Sequence, residues 1–338
     1  MKLTKHAFGR TGDRVSELCL STSNFSRYAS HEESFAILDA FREAGGNFIQ
    51  TSGICPGLNL GDGFLGVPEE LLGRWLKQRR VDRRSLVIAT RIAFTRPVVG
   101  GLDSYVQLVR RSAQDSIRRI GCGELDYLVV EWTEAVAPVA ESMVAFQAAI
   151  AAGEVRHIVP ANFPIPRVLE GFATLPADPP AIAGLQVDYS LAAPYSLEGG
   201  AGRFCADHGL GAIGRSPLAG GHLVGRGPAA RTGAPDAIPL GTIEAAERVR
   251  GSLVTWARKR GHSPAQVALA WGLSHPQITS MLVSVTTANQ LRELLAATRI
   301  AFSGEERQRL AHPGRTRAEG REPNIPAAAE LTLTGVPG

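Results

Sequence analysis

The chain has 338 residues, of which 44% are hydrophobic and 20% charged, so it can bury a large core and is not a disordered protein. Its 36 Lys and Arg residues oppose 32 Asp and Glu, and the scattered basic residues argue against nucleic acid as a partner. The cysteines (Cys19, Cys55, Cys122 and Cys205) lie far apart, so we expect no metal site, no disulfide framework and a reducing compartment.

The N-terminal segment predicts a hairpin rather than a targeting signal. Residues 1–20 contain no continuous apolar stretch, and no later segment approaches the roughly 20 apolar residues that a membrane span needs. The segment Leu3–Val15 contains the turn-like sequence Gly9-Arg10-Thr11-Gly12, which is typical of two short strands joined by a turn. We therefore expect a cytoplasmic protein that does not interact with membranes, with a hairpin at residues 2–15.

Eight short apolar runs alternate with helical patterns along the rest of the chain, as in parallel β-α units covered on both faces. These predicted strands are Leu18–Thr22, Asn47–Thr51, Leu86–Arg91, Tyr127–Glu131, His157–Asn162, Gly184–Asp188, Gly211–Arg215 and Thr279–Ser284. Before the first long helix, Ser30-x-x-Glu33 matches a capping box, and Gly45-Gly46 ends that helix. On a later helix Arg110, Arg111, Arg118 and Arg119 predict a solvated face with Asp115.

This alternation predicts an α/β fold of the closed (β/α)8 TIM barrel type, with the hairpin capping the bottom of the barrel. No GxGxxG follows the first strand, so an open Rossmann sheet is the second choice. We expect one domain over residues 1–311. Residues 217–241 are rich in Gly, Pro and Ala and predict a long loop over the site, and residues 312–338 predict a C-terminal tail.

In such barrels the chemistry lies at the C-terminal ends of the strands. The predicted strands end at or near Thr22, Gln50, Arg91, Glu131, Asn162, Gln186, Arg215 and Ser284. Around these positions the chain resembles the aldo-keto reductases, from residue 7 to residue 310. The matching segments are FGRTGDRVSELCLST, HEESFAILDAFREAGGNF, EELLGRWLKQRR, SIRRIGCGELDYLVV, ANF, LQVDYSL, SPLAGGHL and NQLRELLAA.

The resemblance implies carbonyl reduction by an Asp, Tyr, Lys and His tetrad in which Tyr donates the proton. All four positions differ here, because Gln50, Cys55, Arg91 and Glu131 stand in the places of Asp, Tyr, Lys and His. Gln50 cannot ionise, Arg91 stays charged, and Cys55 is too short to reach the position of the Tyr hydroxyl. Proton donation commonly contributes about 10²–10⁴ in rate, so we do not expect the standard reductase mechanism.

The resemblance also implies NAD(P)H as the cofactor. Asn162 and Gln186 match the family residues that hold the nicotinamide carboxamide, whereas Arg215 replaces the aromatic residue beneath the ring. Thr286 replaces a cation that binds the ribose 2′-phosphate, so we expect weak or no preference for NADPH over NADH. Further positions that the resemblance assigns to the cofactor are Thr22, Ser216, Leu218, Gly220, Ser284, Gln290 and Glu293.

Glu131 is the main candidate for catalysis, because a carboxyl beside Arg91 at a strand end can transfer protons. The simpler interpretation of the pair is a salt bridge that satisfies two charges. Cys55 is a candidate nucleophile or an apolar filler, and Tyr28 and His222, in loops above the barrel, are candidates to replace the lost proton donor.

Three interpretations of the activity remain open. The first is non-reductive acid/base chemistry (dehydration, isomerisation or cyclisation) on a small oxygenated metabolite, with Glu131 as the catalytic group. The composition, rich in Ala, Arg and Gly, is typical of high-GC bacteria, in which such family members serve specialised metabolism. The second is an NAD(P)H-dependent oxidoreductase with a rebuilt site, and the third is a catalytically silent binding protein. A small molecule is the expected partner in each case, and the sequence does not predict the oligomeric state.

Overall fold

The computed structural model describes residues 2–53, 66–93, 101–131, 138–174, 181–226 and 239–312. The first two strands form a hairpin. Strands β1 (Lys5–Ala7) and β2 (Arg14–Ser16) pair antiparallel. The ring of Phe8, in the turn between them, lies inside the barrel. Its centroid is 4.9 Å from that of the Tyr127 ring, and the two rings are tilted by 38°. A Cβ at Gly211 would lie 2.6 Å from the Phe8 ring, so the hairpin fits because this wall of the barrel lacks a side chain there.

Eight parallel strands then close into a barrel in the order β10-β3-β4-β5-β6-β7-β8-β9. They are β3 (Leu18–Ser21), β4 (Phe48–Ser52), β5 (Val87–Ala93), β6 (Leu125–Glu131), β7 (Val155–Ala161), β8 (Gly184–Asp188), β9 (Gly211–Arg215) and β10 (Ser280–Ser284). This confirms the predicted TIM barrel and its hairpin cap, and the Rossmann alternative is wrong. Two predicted strands have the observed bounds, and the other six differ from the observed strands by one or two residues at one or both ends.

Helices surround the barrel and separate its strands. They are α1 (His31–Glu43), α2 (Val67–Gln78), α3 (Gly101–Ile120), α4 (Val139–Ala151), α5 (Ile165–Thr174), α6 (Gly202–His208), α7 (Leu240–Arg260), α8 (Pro264–Leu273), α9 (Ala288–Leu295) and α10 (Gly304–Ala311). None of these described helices is both long and apolar enough to cross a membrane.

The apolar core has two layers, one inside the barrel and one between the strands and the helices. The inner layer includes Val87, Val129 and Ile213, whereas the outer layer includes Ile88, Leu128 and Trp75. Alternate residues of one strand therefore point to opposite layers, as the period of two in a β-strand requires. The inner layer fills the barrel, so the polar groups that can react lie at the C-terminal end of the strands, called the upper end below.

Two local predictions are wrong in detail. Arg119 does not belong to a solvated face, because its Nε donates to Glu69 Oε2 at 2.6 Å and the Glu69 side chain is completely buried. The predicted loop 217–241, of which residues 227–238 lie outside the described residues, contains a short 3-10 helix, Ala219–Val224, and α7 begins at Leu240. Gly220 and Gly221 have positive φ angles, which lets the chain turn tightly where composition alone predicts an open loop.

Candidate active site

Four charged side chains form a connected row at the C-terminal end of the barrel, called the charged row below. Arg91 of β5 forms a hydrogen-bonded ion pair with Glu131 at the end of β6. Arg215, at the end of β9, places its Nη1 atom 3.7 Å from Glu131 Oε1. Asp188, at the end of β8, accepts two hydrogen bonds from Arg215. The row thus alternates positive and negative groups across the mouth of the barrel.

The register of the strands explains why these residues meet. In the β5–β6 ladder Arg91 lies opposite Val129 and Ala93 lies opposite Glu131, so Arg91 and Glu131 are diagonal neighbours that a long guanidinium can bridge. In the β8–β9 ladder Asp188 lies directly opposite Arg215. Among the described residues, the Arg215 side chain joins the two pairs, because it extends over the mouth toward Glu131 on β6.

The charged row is partly shielded from water. The exposed fraction of the side chain is 11% for Arg91, 21% for Glu131, 15% for Arg215 and 34% for Asp188. Although burial raises the pKa of Asp188, hydrogen bonds from Arg215, Ser216 and Asn162 together with the Arg215 charge hold it below its ordinary value. The two cations and two anions cancel, so this described part of the mouth carries no net charge.

Two buried amides lie inside the barrel near its upper end. Gln186 Nε2 donates to Gln50 Oε1 at 2.6 Å, and the two residues are 0% and 4% exposed. Gln186 Oε1 is also buried, and no described residue donates a hydrogen bond to it. A buried acceptor without a donor is costly, and the amide nitrogen of a nicotinamide carboxamide is one group that could supply the donor. This atom therefore fits the role that the resemblance gives to Gln186.

Other residues expected to bind the cofactor lie nearby but are engaged with the protein itself. Asn162 has a φ of 56° and places its Nδ2 atom 3.4 Å from Asp188 Oδ2. Ser216 donates to Asp188 Oδ1 at 3.1 Å, and the buried Thr22 donates to Thr51 Oγ1 at 2.8 Å. Asn162 and Ser216 thus help to hold Asp188 at the edge of the mouth.

The remaining predicted cofactor residues lie in two segments of the chain, one after β9 and the other at or after the end of β10. Leu218 precedes the 3-10 helix that contains Gly220, in the segment that follows β9. Ser284 ends β10 with an exposed side chain. Gln290 Oε1 accepts from the backbone N–H of Thr286 at 2.8 Å, and Glu293 Oε1 accepts from Ser263 Oγ at 2.6 Å. Gln290 and Glu293 therefore stabilise the starts of helices α9 and α8, respectively.

The candidate proton donors outside the charged row are not joined to it by any contact among the described residues. Tyr28 is 56% exposed and its ring packs against the Arg27 guanidinium. His222 lies in the 3-10 helix and is partly buried, without a side-chain hydrogen bond to a described residue. Cys55 lies outside the described residues. Across the described ranges no group of three or more His, Cys, Asp and Glu side chains is placed to hold a metal ion.

Two acidic residues of this region are not among the sequence candidates. Asp188 is the last residue of a correctly predicted strand, so the strand-end rule alone could have identified it. Glu33 matches a capping box, and Ser30 Oγ does accept from the Glu33 backbone N–H at 3.2 Å. The Glu33 carboxylate, however, accepts from the backbone N–H of Ala288 at 2.5 Å, at the start of α9. This contact joins helices that are distant in sequence, and no local pattern predicts it.

Comparisons with known proteins agree with the fold. A family model described as "Aldo/keto reductase family" matches residues 17–312. The uncharacterized oxidoreductase YrpG of Bacillus subtilis (strain 168) is 30% identical, over 88% of this chain and 91% of that protein. L-galactose dehydrogenase of Arabidopsis thaliana is 26% identical, over 92% and 93%. The crystal structure of the thermostable aldo-keto reductase Tm1743 with the inhibitor epalrestat has 23% identity and a TM-score of 0.69, over 91% and 99%, which supports the fold.

Proposed function

The chain belongs to the aldo/keto reductase family, and on this premise we propose that its barrel mouth performs non-reductive acid/base chemistry on a small oxygenated metabolite. Dehydration, isomerisation and cyclisation of such compounds can each begin with removal of a proton. In this proposal the Glu131 carboxylate accepts that proton. The observation that carries the proposal is the ion pair between Glu131 and Arg91 at the open end of the barrel.

The ion pair distinguishes between the two directions of proton transfer. A carboxylate paired with a guanidinium can accept a proton, but it has none to donate to a developing alkoxide. Carbonyl reduction by hydride needs such a donor, whereas elimination and isomerisation need an acceptor first. The replacement of His by Glu131 and of Lys by Arg91 therefore supports reactions that begin with proton abstraction.

The neighbouring groups suit an uncharged, hydroxylated substrate. Removing a proton next to a carbonyl leaves an enolate oxygen, which Arg91 and Arg215 can stabilise because guanidinium groups are permanent cations. The charged row has no net charge, and its alternating donors and acceptors can bind hydroxyl groups. A strongly anionic substrate would instead have to displace Glu131 or Asp188 from an arginine.

Exchange of hydrogen for deuterium tests the proposal without a known substrate. The wild-type protein is incubated in D2O with a panel of hydroxyketones, hydroxyaldehydes and sugar lactones, and deuterium incorporation and loss of water are followed by mass spectrometry. We expect one compound class to react with the wild type and not with Glu131→Gln, since the amide keeps size but cannot accept the proton. Glu70→Gln, at an exposed position, is the control. Equal reaction by Glu131→Gln would reject the proposed base.

The second candidate is a nicotinamide-dependent oxidoreductase, which the unpaired Gln186 Oε1 atom and the names of the relatives favour. Members of this family generally use NAD(P)H. When bound, NAD(P)⁺ would accept a hydride from an alcohol, and Glu131 would take the hydroxyl proton. Gln186 and Asn162 are the residues that would hold the carboxamide. Titration with NADH and NADPH, followed by cofactor fluorescence, tests this second candidate. If no saturable binding is seen up to about millimolar cofactor, where affinity is already weak, the oxidoreductase is excluded.

A further inference from the structure

We propose that Asp188 is a positioning residue: it holds Arg215 away from Glu131, so that the Glu131 carboxylate stays open to accept a proton from the substrate. The inference rests on the proposed role of Glu131. Asp188 does not touch Glu131, and it acts only through the Arg215 side chain that lies between them.

The contact between Asp188 and Arg215 is a bidentate ion pair. Arg215 Nε donates to Asp188 Oδ1 at 2.8 Å, and Arg215 Nη2 donates to Asp188 Oδ2 at 3.0 Å. Such parallel hydrogen bonds fix the plane of the guanidinium as well as its position. Ser216 Oγ donates to the first carboxylate oxygen at 3.1 Å, and Asn162 Nδ2 approaches the second at 3.4 Å. Asp188 is therefore itself fixed by groups from the ends of two strands.

This arrangement leaves Arg215 close to Glu131 without a hydrogen bond. The edge of the guanidinium formed by Nε and Nη2 faces Asp188, and the nearest approach to Glu131 is 3.7 Å, from Nη1 to Oε1. Without the Asp188 carboxylate, the Nε and Nη2 edge of Arg215 would lose its described acceptor and could form a bidentate pair with Glu131. Glu131 would then be shared by two guanidinium groups, and a carboxylate in that position is a weaker base.

Few other charges among the described residues face Glu131. Its neighbour on β5 contributes Arg91, and β9 contributes Arg215. On β7 the residue opposite Glu131 is Ala161, which is uncharged. Two arginines are thus the charged groups among the described residues that face Glu131. For Arg215, a second described carboxylate, that of Asp188, competes with Glu131.

Carbon NMR of the Glu131 carboxyl measures this effect without any substrate. The protein is labelled with ¹³C at the side-chain carboxyl of Glu, and the Glu131 signal is assigned by its loss in Glu131→Gln. Its titration midpoint is then compared between wild type and Asp188→Asn. We expect the midpoint to fall by about one pH unit or more in Asp188→Asn, because Arg215 turns to Glu131 and a like charge is lost. Asp188→Glu should restore part of the difference, since it keeps a carboxylate.

Two further variants keep the test decisive. Glu170→Gln breaks an exposed pair with Arg167 and should leave the Glu131 midpoint unchanged. Ser216→Ala loosens Asp188 without removing a charge, so it serves if Asp188→Asn does not fold, and it should lower the midpoint by a smaller amount. An unchanged midpoint in Asp188→Asn, or in Ser216→Ala when Asp188→Asn does not fold, overturns the inference. Loss of the proposed function would appear separately, as deuterium exchange that Glu131→Gln does not impair.

Discussion

Gln186 and Gln50 are joined across the barrel, with Gln186 Nε2 donating to Gln50 Oε1 at 2.6 Å. Their strands, β8 and β4, lie four places apart in a ring of eight, so the bond spans the interior. The two amides thus fill the upper end of a barrel whose lower layers are apolar. At the position where the resemblance expects an ionisable Asp, Gln50 supplies a neutral acceptor to a buried donor.

Replacing Gln50 with Leu should lower the free energy of unfolding by about 1–3 kcal/mol, because Gln186 Nε2 would lose its buried acceptor. Urea unfolding followed by circular dichroism measures the change. Gln78→Leu, at an exposed position at the end of α2, is the matched control and should have little effect. If Gln50→Leu is as stable as the wild type, the bond contributes nothing to the barrel.

The barrel could be predicted because each strand has a local pattern and because parallel strands all present their C-terminal ends to one side. The strand-end rule was enough to bring Arg91 and Glu131 to the same edge. It did not indicate that Arg215 would extend across the mouth to Glu131, since that contact depends on the side-chain conformation of one long residue and on its pairing with Asp188.

Contacts between distant segments account for most of what sequence patterns missed. Glu33 has a local interpretation as the third residue of a capping box, but its carboxylate binds the start of α9. Arg119 lies among other arginines that suggest a solvated face, yet it pairs with the buried Glu69. In both cases a long-range partner determines the conformation, and helical spacing carries no information about that partner.

Arg91 should be replaceable by Lys at lower cost than by Ala. Among the described residues, Arg91→Ala leaves the partly buried Glu131 with Arg215 as its cation at 3.7 Å, and we expect a loss of about 1–3 kcal/mol in stability. Arg91→Lys keeps a cation but loses the planar fork, so its effect on stability and on deuterium exchange should be smaller. If the two variants have equal effects on stability and on deuterium exchange, the positive charge of Arg91 does not account for its contribution.

Glu69 should be more important for stability than its neighbour on the same helix. Its buried carboxylate accepts from Thr90 Oγ1 and from Arg119 Nε, each at 2.6 Å. Glu69→Gln removes the charge that compensates Arg119, and we expect a loss of about 3–5 kcal/mol, which is typical of a broken buried pair. Glu70→Gln, at an exposed position one residue later, should change stability by less than about 0.5 kcal/mol. Comparable losses in thermal or urea unfolding would contradict this.

Cofactor titrations should show no preference for NADPH over NADH. The resemblance places the ribose 2′-phosphate near Thr286, which is uncharged, and the Glu33 carboxylate already accepts from Ala288 N at 2.5 Å beside it. Glu33→Gln should therefore strengthen NADPH binding about two- to fivefold relative to NADH. Calorimetry measures both affinities, with Glu32→Gln, at an exposed position, as the control. Much tighter binding of NADPH by the wild type would mean that other basic residues, such as Arg226 or Arg292, bind the phosphate.

The stability of the fold should fall in mild acid because of His275. Burial, together with the nearby Arg307 charge, lowers the pKa of His275 to about 4, although Glu198 opposes this change. The backbone N–H of Gln277 also donates to its Nδ1 at 3.3 Å, which requires an unprotonated nitrogen. Since the ordinary pKa of His is about 6.5, the unfolded chain binds a proton there before the folded chain does. Folding therefore loses stability as the pH falls from about 6.5 to about 4.

Urea unfolding at several pH values across this window checks the sign and the source of the effect. We expect His275→Gln to flatten the pH dependence by about 1–2 kcal/mol, once partial exposure to solvent is taken into account. His6→Gln, on the exposed strand β1, should leave the dependence unchanged. Linkage determines the sign of this pH dependence, because a histidine whose pKa is lowered on folding destabilises the folded state only below its ordinary pKa. A loss of stability above about pH 6.5 must therefore come from another group. A wild-type curve that stays flat down to pH 4 would show that His275 is protonated without cost in the folded protein.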